Sequence, residues 1–139
     1  MNYKDLEEVK GFIQGMTYSI KETTQEQIDK GDTIPDVQMF LLKRTNEEGE
    51  TQYGMGGGQV PSDELGKILH SKIVPEIIKH QGHEILGSCS TNFSNGVMKI
   101  DFVNYVTNEN HQEVMNFNTP FQVTDKSFMS VGEMKFSMN

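Results

Sequence analysis

The chain has 139 residues, a common size for one domain, and carries 20 acidic against 12 basic side chains for a net charge of −8. That balance, with the bases scattered singly apart from Lys43-Arg44, argues against direct nucleic-acid binding, which depends on cationic neutralisation of phosphate. Cys89 is the single cysteine, so an internal disulfide and a cysteine-rich zinc site are both excluded, and no apolar run approaches the roughly 20 residues of a membrane span.

Met1-Asn2-Tyr3-Lys4-Asp5 has no apolar run behind it, so no secretion signal is read there. With the lone cysteine this places the expected compartment in the cytoplasm. A mean hydropathy of −0.55 suits a soluble chain. Eight Phe, nine Met and no Trp imply a core of Phe, Met and Ile, and methionine also suits adaptable contact surfaces.

The first element is a helix from about residue 3 into the Thr23–Ile28 region. Leu6, Val9, Ile13, Met16 and Ile20 recur at spacings of three and four, and Asp5, Glu7 and Glu8 lie in the first turn, where carboxylates suit the helix dipole. Gly11 and Gly15 sit off this stripe, where they weaken the helix or admit a close neighbour. A turn at Asp32 to Pro35 leads into a strand, Val37 to Arg44, apolar on both faces. Thr45 to Glu50 is a charged hairpin loop, and the returning strand Thr51-Gln52-Tyr53 runs into the loop Gly54-Met55-Gly56-Gly57-Gly58. A second helix opens with Ser62 as N-cap and Asp63-Glu64 in its first turn. Leu65, Ile68, Leu69, Ile73, Ile77 and Ile78 are expected to form its buried side, with Pro75 bending or breaking it and Gln81-Gly82 ending it.

The remainder is β. Ile85 to Phe93 and Val97 to Thr107 flank Asn95-Gly96, a strong hairpin signal. Val114 to Val123 and Phe128 to Met138 supply two further strands. The order α-β-β-α-β-β-β-β predicts a single α+β domain over residues 1–139, with a curved, mostly antiparallel sheet and helices on one face.

Four groups of residues bear on chemistry. The glycine run before a helix has the arrangement of an anion cradle, making Gly54, Gly56, Gly57, Gly58 and Ser62 the candidate ligand-binding residues. It lacks the Lys and Ser/Thr of a phosphate loop and the parallel β-α-β setting of a dinucleotide site. His70, His80 and His83 match no standard zinc spacing, so neither a metal nor a cofactor is expected. Cys89, with no Lys, Arg or His within five residues, reads as a buried strand cysteine rather than a nucleophile. The Asn-rich stretch Asn104 to Asn118, with Tyr105, His111 and Phe117, has the composition of a polar recognition edge or of ordinary solvent-facing strands.

No stretch carries an enzyme signature. The leading expectation is a non-catalytic, acidic interaction protein that binds or inhibits a protein partner, as a phage or mobile-element antagonist would. The alternative is a small-ligand or nucleotide-binding homo-oligomer using Gly54 to Gly58 and the helix start, with catalysis by His70, His80, His83 or Cys89 ranked third.

Overall fold

The computed structural model describes residues 2–117. Seven elements follow in the order α1 (Tyr3–Lys30), β1 (Val37–Thr45), β2 (Thr51–Gln59), α2 (Glu64–His80), β3 (Glu84–Ser94), β4 (Val97–Asn104) and β5 (Glu109–Asn116). The α+β class and the order α-β-β-α-β-β-β hold over these residues. The strand expected at Phe128 to Met138 lies outside them, as do residues 118–123 of the one expected at Val114 to Val123, whose first residues close β5, begun five residues earlier.

The sheet is antiparallel throughout, in the order β2-β1-β3-β4-β5. β1, β3 and β4 are interior, and β1 is apolar on both faces because each face is covered: Leu41 and Phe40, adjacent in sequence, are both buried. Asn95 and Gly96 both take positive φ, 52° and 79°, the backbone that lets a two-residue turn follow the strand twist. At the other end of β4, the Asn104 side chain accepts from the amides of Val106 and Thr107 to shape the turn into β5.

α1 spans 28 residues because both ends are capped: Asn2 Oδ1 accepts from the amides of Lys4 and Asp5, and Gly31 closes the helix at φ 75°. Its buried face is Asp5, Val9, Phe12, Ile20, Thr24 and Ile28. Val9, Phe12, Ile20 and Ile28 pack with Leu41, Leu86, Cys89, Met98, Ile100 and Phe102 in one cluster. Each large side chain so buried contributes about 1.5–3 kcal/mol against chain entropy. Gly11 and Gly15 meet nothing within 4 Å, so they admit no close neighbour among the described residues.

Two details differ from expectation. The sheet is open and uncurled, with β2 and β5 as separate edges. Curling needs repeated bulges, and the ladder is broken once, where Leu86 is inserted between Ile85, opposite Leu42, and Gly87, opposite Leu41. The helices also lie on opposite faces. α1 covers the face of Leu41, Lys43 and Gly87, whereas α2 meets Gln38 and Phe40. The connectivity explains this: α2 joins β2 to β3 across the intervening β1, and α1 already occupies one face.

Candidate functional site

The glycine run is strand rather than loop. All of Thr51 to Gln59 pairs with β1, from Thr45↔Thr51 to Val37↔Gln59. Val60 N–H donates to Asp36 O at 2.8 Å, and antiparallel alternation then turns the amides of Gly54, Gly56 and Gly58 toward β1. Converging amides of the kind that cradle phosphate are therefore not formed at those three positions. The four glycines do different things. A Cβ on Gly57, at φ 144°, would lie 2.1 Å from Gln38 O; one on Gly56 would touch Leu42; Gly54 and Gly58 have open space. Ser62 is exposed and precedes the actual N-cap, Asp63, whose carboxylate accepts from Gly66 N at 2.7 Å and fills the helix start with negative charge.

Gly54 does line a groove of about 640 Å³ with Leu42, Arg44, Gln52, Tyr53, Met55 and His83. His83 Nδ1 is buried without a hydrogen-bond partner among the described residues. Gly56, Gly57, Gly58 and Ser62 are not among the lining residues.

The histidines are not brought together as ligands. His70 pairs through Nδ1 with Gln38 Oε1 at 3.2 Å, His80 is exposed at the end of α2, and His83 lies three residues beyond. Among the described residues no group of three His, Cys, Asp or Glu could share an ion. Cys89 is fully buried, and burial first, then the Asp101 charge, push its thiol up to about 12. A thiol that stays protonated behind packed side chains is a poor nucleophile. Native protein at pH 8 is accordingly expected to resist a thiol-reactive dye that labels it stoichiometrically once unfolded. Rapid native labelling would contradict this placement.

One polar cluster escapes a reading of the sequence. Asp5 on α1 accepts from Lys43 Nζ at 2.9 Å and from Tyr53 Oη at 2.8 Å, uniting α1, β1 and β2. Its partners lie 38 and 48 positions away, so no local spacing announces it. Burial pushes the Asp5 carboxyl up, but the hydrogen bonds from Lys43 and Tyr53 and the Lys43 charge prevail and leave it below its ordinary value. All three groups are satisfied by one another, so the cluster is a clamp between elements.

The most conspicuous surface feature is α2. Of the six side chains expected to be buried, Ile78 alone is; Leu65 is 67% exposed and Ile68, Leu69, Ile73 and Ile77 about half exposed. The helix is rolled so that Lys67, His70, Val74 and Ile78, one stripe at spacings of three and four, face the sheet. Polar contacts hold that roll: Lys67 to Asp36 at 3.7 Å and His70 to Gln38. Leu65, Leu69, Ile73 and Ile77 consequently form a row at i, i+4 on the flank of the helix. Pro75 and Lys79, on the other flank, line a cavity with Tyr105 and Ile85 toward β4, which turns the apolar row toward the β2 edge. Pro75 lies within a continuous helix rather than breaking it. The apolar breadth of α2 was legible in the sequence; the polar residues that win the sheet-facing side were the signal overlooked.

No helix among the described residues is long and apolar enough to cross a membrane. The chain matches no family model, no curated protein and no solved structure.

Proposed function

We propose that this chain is a non-catalytic protein-binding domain that docks a partner protein through the apolar row of α2. The observation that carries the reading is the exposure of Leu65, Ile68, Leu69, Ile73 and Ile77 together on a chain of net charge −8. Contiguous apolar patches beyond a few hundred Å² are uncommon on monomers and mark contact sites. A helix presenting anchors at i and i+4 suits an apolar groove on its partner. The net charge of −8 would steer the chain as a whole toward a basic partner surface. An antagonist of the kind a phage or mobile element encodes acts in this way, by occupying a surface rather than by chemistry.

A second reading, small-ligand binding, draws on the groove beside Gly54, whose size is that of ordinary ligand sites. One experiment separates the two. Native mass spectrometry of the chain isolated from its own host should show a different protein in fixed ratio, with capture falling about thirtyfold or more in Leu69→Asp and Ile73→Asp, the scale of a hot-spot loss. Because both side chains are already half exposed, the midpoint of unfolding should barely move. Equal capture by variants and wild type overturns the docking face, and a retained mass of a few hundred daltons favours the groove.

A further inference from the structure

We infer that the β2 edge is a self-association surface, and that its occupant is a second copy of this chain paired antiparallel to it about a two-fold axis at Met55. The inference goes beyond the docking role of α2 and stands on different observations. β2 is the outer strand of the sheet, and its even-numbered residues direct their backbone groups to β1. The N–H and C=O groups of Thr51, Tyr53, Met55, Gly57 and Gln59 therefore point outward, with no strand beside them among the described residues.

Edge strands are ordinarily protected by charge, proline or bulges. Thr51 to Gln59 contains no charged residue and no proline, and its ladder to β1 has no register shift, in a chain with 32 charged side chains, 20 acidic and 12 basic. The other edge, β5, carries Glu109 and Glu113, so two copies meeting there would bring carboxylates together. At β2 a second copy meets no like charge.

The register is self-complementary. With Met55 opposite itself, Tyr53 faces Gly57 and Thr51 faces Gln59, so every outward-pointing residue meets another outward-pointing residue. On the opposite face Gln52 lies against Gly58 and Gly54 against Gly56. Gln52 and Tyr53 thus fall opposite glycine, and the outward groups along the strand, about 30 Å long, can pair. A two-fold axis normal to the sheet keeps both α2 helices on one face. Each packs over β1 and β3 of its own chain, so their axes stand at least three strand spacings apart, about 14 Å or more. Direct helix packing brings axes to about 8–10 Å. The two apolar rows therefore flank a floor of glycines without burying each other, and they remain open to a partner.

An edge contact of this kind is smaller than the roughly 800 Å² per partner of a stable interface, so the dimer is concentration-dependent. Sedimentation velocity of the full chain at tens of micromolar is the test. Wild type should run at twice the 15.8 kDa chain mass and fall toward one chain on dilution to submicromolar concentration. Met55→Pro deletes the central outward N–H without touching the ladder to β1, and should stay monomeric, while Met55→Ala dimerises like wild type. Amide hydrogen exchange on wild type supplies a reading that needs no variant: Tyr53 and Met55 should gain protection at high concentration. A wild-type monomer throughout, a dimer that persists in a folded Met55→Pro, or concentration-independent exchange would each overturn the inference. A monomer that still loses its partner on Ile73→Asp would do so while leaving the docking role of α2 intact.

Discussion

Replacing Gly57 with alanine is expected to cost about 4 kcal/mol or more of folding stability, while alanine at Gly54 or Gly58 changes stability by no more than about 0.5 kcal/mol. The new Cβ would sit 2.1 Å from Gln38 O and 2.8 Å from Met39 Cα, and both obstacles are backbone of β1. No side-chain rotation relieves such a contact; the strands must part. The φ of 144° adds strain for any residue with a Cβ, on the order of 1–3 kcal/mol. At Gly54 and Gly58 nothing lies within 4 Å. Urea unfolding of the three variants under one set of conditions measures the contrast. Equal midpoints would mean that β1 and β2 do not approach as described. Gly56 differs from Gly57 in kind: it meets a movable Leu42 methyl at 3.3 Å, whereas Gly57 meets main chain.

Asp5→Ala is expected to be the second large loss, about 3 kcal/mol. Removing one partner of a buried ion pair strands the other, and the Lys43 side chain is only 19% exposed. Tyr53 loses its acceptor in the same step. The pH dependence follows in sign. The Asp5 carboxyl lies below its ordinary value in the folded chain, so its contribution is full above the unfolded carboxylate value and disappears as pH falls through the folded one. Wild type should therefore lose stability below about pH 4, and Asp5→Asn should show a flatter acid limb. Tyr53 gives an independent readout. Its phenol is pushed up to about 12, first by the hydrogen bond to Asp5, then by burial and by the charges of Asp5, Glu8 and Glu84. Spectroscopic titration of Asp5→Ala should return that phenol toward about 10. An unchanged Tyr53 titration would show that the pair is not formed.

The parts of the fold that sequence made legible are those governed by neighbours in the chain. Val9, Ile13, Met16 and Ile20 mark α1 by period, Gly31 ends it, and Asn95-Gly96 fixes the β3–β4 turn because few other pairs accept its backbone. The burial of Cys89 followed from having no charged flank. What escaped depends on contacts across the sheet. Phe12, off the stripe first read for α1, is buried against Gly87. Gly54 to Gly58 has the composition of a loop, yet it forms a strand because β1 offers a full ladder of partners. The roll of α2 turns on Asp36, just before β1, and Gln38 within it, which draw Lys67 and His70 inward and leave the better apolar row outside. The candidate surface was thus present in the sequence as a buried face, and the structure turns it outward.

The proposed docking role of α2 is tested most directly by placing a photo-crosslinking amino acid at position 73 and, as a control, at the exposed position 22 of α1, in the chain expressed in its own host. Irradiation should give one discrete adduct with a different protein from position 73 and none from position 22. Matching adducts from both positions, or a position-73 product confined to this chain's own residues 118–139, would contradict the assignment of α2 as the docking face.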